Sequence, residues 1–424
     1  MKEQTTMNWD KINKIIQYAR HNVPYYHDLL SSYDFQNEED VKEGFDEVPI
    51  LKKETVQMNT SAFLSNEMGQ FNVELDRTSG STGKILNVYW DKNDRIKSLL
   101  CLWTKRKKYY GIIPSSKCCY FHSIAYRTIE ENESKEVFSP RVMIRDGGNV
   151  ISFSKLNFDD SSLYRYCNKI LKFEPEWIMC HPSTLLALIG FYQRNPLCDL
   201  PRLKFIELTG EFLSDAQKKT ISEFFGVPVA NHYGAKEVNG IAYECSCGHL
   251  HCLQNNVYVE IVKDGRNVGF GEKGNVCVTG LNNRCMPFIR YDLGDVAILR
   301  EGKECSCGNH DPIIELCAGR ENHIVKLPNG TQIECVVFFY IVEWINSVLQ
   351  NVIIQFKVLR INDNSFKVFI NMQSLVGREC VINMFTSKAK EYGFDDINWE
   401  FIFDKELFPE ERTDKLNFYY DTRY

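Results

Sequence analysis

An α/β fold of layered β-sheets and helices, followed by a small α+β domain, is predicted by three features of this sequence. From Val73 to Leu316, short apolar stretches such as Lys204 to Leu208 and Asn275 to Thr279 alternate with helical stretches such as Ser161 to Phe173 and Ser214 to Phe225. That alternation builds largely buried sheets covered by helices. Beyond Arg320 the texture changes: Ile333 to Gln350 reads as a helix, Val352 to Arg360 and Phe366 to Asn371 as strands around the turn Asn362 to Ser365, and Val381 to Tyr392 as a second helix. Finally, 424 residues are more than one core usually serves. The sequence therefore divides into a large domain, 1–319, and a small one, 320–424, which is long enough to fold by itself. At the N-terminal end, Ile12, Ile15, Ile16 and Ala19 recur at helical spacing before Pro24 interrupts them, so Trp9 to Leu30 reads as a helix followed by an extended arm.

Composition narrows the function classes. A formal net charge of -6 and a pI near 5.9 supply no sequence-wide attraction for nucleic acid or an anionic membrane. The basic run Lys105 to Lys108 reads as a solvated helix face. No nucleic-acid or membrane partner is expected. The start, Met1 to Asp10, lacks a basic segment followed by an apolar stretch and a small-residue cleavage site, so no secretory signal is expected. The longest apolar run, Cys335 to Val342, lies between Glu334 and Glu343 and is far too short to span a bilayer. The 16 cysteines are spread through a long chain and are expected to be mostly reduced thiols, pairs such as Cys118 and Cys119 packing as small hydrophobes. A soluble cytoplasmic protein is expected, and a homodimer is the default among soluble homo-oligomers.

The most informative segment is Arg77-Thr78-Ser79-Gly80-Ser81-Thr82-Gly83-Lys84, between the strand-like Phe71 to Leu75 and Ile85 to Trp90. Small hydroxyl residues and glycines let a backbone turn its N–H groups toward a polyphosphate, and a lysine adds charge to the same anion. The nucleoside-triphosphatase loop Gly-x-x-x-x-Gly-Lys-Ser/Thr fails at both ends, with Thr78 at the first glycine position and Ile85 after the lysine.

The run Thr78 to Lys84 is similar to the signature phosphate loop of the adenylate-forming superfamily of acyl-CoA synthetases, adenylation domains and luciferases. Further matches follow in the family's order. Leu208-Thr209-Gly210-Glu211 resembles the segment lining the adenine pocket, and Asn231-His232-Tyr233-Gly234-Ala235-Lys236-Glu237 resembles the aromatic-Gly-x-Thr-Glu motif. The resemblance implies nucleotide contacts from Gly210, Glu211, Asn231 and His232, Tyr233 stacked on adenine, and Glu237 on magnesium. Pro287 to Asp295 resembles the segment whose last aspartate binds the ribose hydroxyls, which implies that role for Asp295. Gly319-Arg320 followed by Lys326 resembles the stretch joining large and small domains, with Arg320 as a second ribose ligand. Lys415, in Thr413-Asp414-Lys415-Leu416, matches the position of the catalytic lysine. The arm Val23-Pro24-Tyr25-Tyr26, the segment Val48 to Lys52 and the modest length resemble the phenylacetate-CoA ligase branch, which includes capsule-biosynthesis relatives. His122, Ser123, His181, Pro182 and Asn231 fall where related enzymes line an acyl pocket.

The implied reaction is activation of a carboxylate with ATP, releasing pyrophosphate, and transfer of the acyl group to coenzyme A. A carboxylate oxygen is a poor leaving group, and attack on the α-phosphate to give an acyl-adenylate creates a better one. Charge then concentrates on phosphate oxygens, so oriented N–H donors, magnesium and the lysines Lys84 and Lys415 are the parts required. No cysteine nucleophile is needed. The chain departs from the pattern at Lys236, where relatives have threonine or serine, at Asn322 in the usual acidic hinge position, and at Asp414 before the lysine. Transfer to an amine or hydroxyl is the alternative within this chemistry. A zinc-stabilised binding protein without catalysis is the alternative outside it, and retention of Lys84, Glu237, Asp295, Arg320 and Lys415 argues against it.

A second constellation is the repeat Glu-Cys-Ser-Cys-Gly, at Glu244 to Gly248 and Glu304 to Gly308. Two such knuckles supply Cys245, Cys247, Cys305 and Cys307, enough for one tetrahedral zinc. Phenylacetate-ligase-like relatives carry a Gly-x-His segment here, so His251 is a fifth candidate, and which four of the five close the site stays open. Because the knuckles bracket strands, a structural zinc is expected.

Overall fold

The computed structural model describes residues 8–78, 86–122, 142–144, 148–154, 160–320, 324–349, 352–372, 377–403, 407 and 418–423. Lys84, Ser123, Asn322, Asp414, Lys415 and the loop residues Ser79 to Gly83 lie outside them. The chain divides into two compact units, Met1–Pro114 with Ala230–Cys317, and Ser115–Val229 with Ala318–Tyr424.

In the first unit, the helix Trp9–Asn22 starts at Asn8, whose side chain accepts the Lys11 N–H at 3.2 Å, and buries Ile12, Ile15, Ile16 and Ala19 on one stripe. Pro24 does not open an extended arm. It begins a second helix, Pro24–Leu30, with the break confined to Val23, because proline's missing N–H is harmless at a first helical position and its φ suits the helix. This arm is tied to a distant segment: the Tyr26 hydroxyl donates to the Pro287 carbonyl and accepts from the Ile289 N–H, both at 3.1 Å. Leu51 lies beside Tyr291, its N–H on the Arg290 carbonyl at 2.8 Å and its carbonyl accepting from Asp292 at 2.9 Å. Arg290, fully buried with φ 48, pairs with Glu260 at 2.9 Å and donates to the carbonyls of Asp46 and Val48 at 2.6 Å each. Removing one partner of such a buried pair typically costs about 3–5 kcal/mol.

The strands of this unit run in the order Arg266–Asn267, Val257–Lys263, Lys273–Gly280, Tyr291–Arg300, Ile313–Arg320, Leu250–Cys252, Asn239–Glu244 and Val229–Ala235. A separate antiparallel hairpin pairs Val73–Arg77 with Asn87–Asp91. Asp91 then caps the helix Lys92–Tyr110. The basic run near the end of that helix is not a uniformly solvated face: Lys107 and Lys108 are exposed, but Arg106 is buried with its guanidinium 4.6 Å from the Trp103 ring, because this turn of the helix faces the sheet.

In the second unit, parallel strands run in the order Phe205–Thr209, Trp177–Cys180, Cys118–His122 and Val150–Ser154, with Val142–Ile144 antiparallel at the edge. The helices Asp160–Phe173 and Pro182–Arg194 and the strands share a core of Ile151, Phe153, Leu163, Ile178, Leu185 and Ile206. Burying each such side chain contributes about 1.5–3 kcal/mol. Cys118 and Cys119 are buried there.

The C-terminal part of this unit has its own core around Phe338, Ile341, Val358, Phe366 and Phe385, under a four-stranded sheet ordered Asn398–Phe403, Ser365–Met372, Ile353–Arg360, Tyr419–Asp421. The helix expected from Ile333 begins later, at Val337. Gln332–Glu334 is instead a strand paired with Ile324–Lys326, since Asn329 and Gly330 (φ 85) form a turn that folds this stretch back on itself. No helix among the described residues is long and apolar enough to cross a membrane.

Candidate functional site

Tyr233 to Glu237 occupy the end of one strand and the turn into the next. Ala235 faces Asn239 in the register, the Val238 N–H reaches the Ala235 carbonyl at 3.2 Å, and a Cβ on Gly234 would lie 2.7 Å from the Asn239 carbonyl oxygen, so this tight reversal requires glycine. The turn places Lys236 in solvent and buries Glu237. The Tyr233 hydroxyl donates to Asp295 at 2.9 Å, and the Tyr291 hydroxyl donates to Glu237 at 3.0 Å. Tyr291 and Asp295 belong to one strand, so the two bonds fasten the turn to it at both ends. Burial, with the Glu237 carboxylate beside it, pushes the Tyr291 hydroxyl up, which keeps it a donor.

The same turn meets the two strands that flank the glycine-rich segment in sequence. Lys236 Nζ lies 3.3 Å from Asp76 Oδ1, on the strand that leads into Thr78, and the Lys236 carbonyl accepts the Trp90 indole N–H at 3.1 Å. Thr78 extends the pairing of these strands: its N–H bonds the Leu86 carbonyl at 3.0 Å and its hydroxyl accepts the Leu86 N–H at 3.1 Å. Lys53 Nζ reaches the same hydroxyl at 3.3 Å. Thr78, the pair Tyr233 and Glu237, and Asp295, from three separate stretches of sequence, therefore form one connected set within the first unit. Asn231 and His232 precede them on the strand, the Asn231 N–H donating to Glu244 at 2.7 Å and His232 half facing the Tyr243 ring. Arg320 ends the strand Ile313–Arg320. Asp76, Trp90, Lys53 and Tyr291 were not singled out in the sequence, since their part in the set depends on pairing with distant segments.

In the second unit, Glu211 accepts the Ser183 N–H at 3.0 Å and the Ser183 hydroxyl at 2.8 Å, and lies 3.4 Å from His181 Nδ1. It thus supplies a carboxylate to the start of the helix Pro182–Arg194, whose own N-cap, His181, makes no side-chain cap bond. Gly210, at φ 84, packs so closely that an added Cβ would lie 2.6 Å from His181 Nε2.

The cysteine repeat converges. Cys245, His251, Cys305 and Cys307 place their ligand atoms within 4.8 Å of one another. Cys245 Sγ is 3.8 Å from Cys305 Sγ, Cys305 Sγ 3.3 Å from Cys307 Sγ, and Cys307 Sγ 3.5 Å from His251 Nε2. Ligands on a tetrahedral zinc with bonds of about 2.3 Å sit about 3.8 Å apart, so this donor set fits the ion. His251 Nδ1 lies 2.8 Å from the Asp311 carbonyl, which selects the tautomer whose Nε2 is free to ligate. Cys247 stands apart, exposed, with its sulfur against the Ser306 hydroxyl at 3.1 Å. Gly248 (φ 84) and Gly308 (φ 75) take the left-handed conformation after the second cysteine of each knuckle, where other residues are strained. Burial pushes the Cys245 and Cys305 thiols up and the His251 imidazole down. Sequence reasoning missed the outer partners: His249 Nδ1, 3.3 Å from Cys305 Sγ, and Asp311, 4.0 Å from Lys105.

No family model matches the chain. Among curated proteins it is 23% identical over 344 residues to a phenylacetate-coenzyme A ligase of Thermus thermophilus, an alignment covering 77% of this chain and 74% of the relative. It is 26% identical over 240 residues to the Escherichia coli K12 phenylacetate-coenzyme A ligase, covering 54% and 52%. Among solved structures, a 2-hydroxyisobutyryl-CoA ligase in the postadenylation state superposes with a TM-score of 0.71 at 15% identity, over 98% of this chain and 89% of the other. The anthranilate CoA ligase AuaEII in complex with anthranoyl-AMP superposes with a TM-score of 0.52 at 17% identity, over 81% and 65%.

Proposed function

Because this chain is phenylacetate-coenzyme A ligase-like in sequence and has the fold of adenylate-forming CoA ligases, we propose that it activates a carboxylic acid with ATP to an acyl-adenylate and passes the acyl group to coenzyme A. The observation that carries this reading is the connected set in the first unit, Asp76 to Lys236, Glu237 to Tyr291 and Asp295 to Tyr233, which places the stem of a glycine-rich loop beside an aromatic ring and two carboxylates. In this reading Thr78 to Lys84 hold the phosphates and Tyr233 stacks on adenine; Gly210, Glu211, Asn231 and His232 are nucleotide contacts by their match to the motifs, and so are Asp295 and Arg320 on the ribose. Glu237 holds magnesium. Lys415 serves adenylation from a small domain that we place at 320–424. Magnesium would supply charge neutralisation on the phosphates, while Tyr291 keeps the Glu237 carboxylate oriented. Zinc on Cys245, His251, Cys305 and Cys307 would be structural, because four protein ligands leave no open position. We read the location as cytoplasmic and the default assembly as a homodimer.

The test is pyrophosphate release across a panel of carboxylates, with and without coenzyme A. Release that depends on a carboxylate and yields a thioester with coenzyme A is the expected result, whereas an adenylate discharged onto an amine or hydroxyl alone would select the other acceptor class. For the nucleotide site, Asp295→Ala is expected to lower magnesium-ATP affinity by about tenfold or more in calorimetry, the loss of a charge-assisted bond being worth about 1.5–3 kcal/mol. Unchanged affinity in that variant removes the ribose assignment.

A further inference from the structure

Lys236 differs from the groups around it in one respect: its anchor and its charge have separate partners. The backbone is fixed by the Trp90 indole at 3.1 Å and by the tight turn between the strands Val229–Ala235 and Asn239–Glu244. The side chain, 53% exposed, lies on Asp76 Oδ1 at 3.3 Å. Asp76 does not depend on that contact, since Arg95 Nη2 reaches its other oxygen at 2.8 Å while Arg95 Nη1 holds Glu74 at 3.2 Å. Asp76 is itself only 17% exposed and sits on the strand Val73–Arg77, two residues before Thr78, while Lys236 is next to the buried Glu237.

We propose that Lys236 is a phosphate-binding cation held in reserve by Asp76: the amine rests on Asp76 without nucleotide and moves to the polyphosphate when ATP enters, leaving Asp76 neutralised by Arg95. This rests on the nucleotide assignment above. A half-exposed lysine–carboxylate pair is weak and easily exchanged. A polyphosphate offers several charges and more acceptor oxygens, and a lysine on a flexible stem is a point charge suited to follow them. The rival is a plain tether, in which the ion pair only holds the Val73–Asp91 hairpin against the turn.

The two make different predictions for the two ends of the pair. Calorimetry of Lys236→Met and Asp76→Asn with magnesium-ATP and with adenosine separates them. Under exchange, Lys236→Met weakens ATP by about tenfold or more while adenosine binds as in wild type. Lys236→Arg retains most of the ATP affinity. Asp76→Asn binds ATP at least as tightly as wild type, because a competing anion has been removed. Equal losses in Lys236→Met and Asp76→Asn, parallel loss of adenosine, or ATP binding at wild-type strength in Lys236→Met each overturn the proposal. A wild-type protein that binds neither ATP nor adenosine overturns the nucleotide assignment itself, and the exchange with it.

Discussion

Elemental analysis of purified protein is expected to return about one zinc per chain, and substitutions should sort the five candidate ligands sharply. Cys245→Ala, His251→Ala, Cys305→Ala and Cys307→Ala are expected to lose the metal, while Cys247→Ala keeps it, because the Cys247 sulfur points to Ser306 and the other four donors converge. Metal removal should also destabilise the fold, since the site joins the turn after Glu244 to the loop before Ile313, segments separated by 60 residues. Structural zinc in isolated peptides contributes an apparent 10–16 kcal/mol or so. Here the unit keeps its own core, so part of that structure survives without the ion. Even a loss of about 3 kcal/mol lowers the unfolding midpoint by roughly 6–12 °C in a unit of this size. The thiols of Cys245 and Cys305, pushed up by burial, must lose protons to bind, so zinc affinity falls as pH falls. A chelator-treated protein with an unchanged midpoint, or a Cys247→Ala variant that loses the metal, contradicts this assignment.

The sequence made local structure legible where the pattern is local. The helix Asp215–Phe225 carries its own start and stop, a capping box at Ser214 and Gln217 and Gly226 in the left-handed region, and it lies within a residue of where periodicity placed it. The strands Ile353–Arg360 and Ser365–Met372 were readable for the same reason, with apolar residues on either side of a short polar turn. Pro24 misled because a proline marks the end of one helix and the first position of another equally well, and only the residues after it decide. The late start at Val337 reflects tertiary override: the apolar run continues helical periodicity upstream, but Gln332–Glu334 gains a partner strand.

The candidate site was legible as residues and not as geometry. Motif order named Thr78, Tyr233, Glu237 and Asp295, but Tyr291 and Trp90, the groups that fasten the turn carrying Glu237, do so by side-chain hydrogen bonds between segments more than 50 residues apart, the Tyr291–Glu237 bond spanning 54 and the Trp90–Lys236 bond 146. The choice between Cys247 and His251 was likewise closed to sequence. Both follow Cys245 closely, but the strand Leu250–Cys252 pairs with Ile313 through His251, which sets that ring beside the second knuckle.

Lys415→Ala is expected to abolish most carboxylate-dependent pyrophosphate exchange while leaving ATP binding nearly normal. Lys415 lies outside the described residues. The described residues on either side, Leu407 and Phe418, belong to the small C-terminal core region: the Leu407 carbonyl accepts from Gln355 at 3.2 Å and the Phe418 carbonyl from the Val358 N–H at 2.7 Å. A charge used near the transition state is missed in rate more than in ground-state affinity, and removing one such contact typically slows the step by about 100- to 1000-fold. The variant should still consume a chemically supplied acyl-adenylate when coenzyme A is present, because the lysine is assigned to the first half-reaction alone. A Lys415 variant that exchanges pyrophosphate at the wild-type rate makes this residue one of many surface lysines near a chain end. A variant that exchanges slowly and also fails on the supplied adenylate assigns Lys415 to both halves of the reaction.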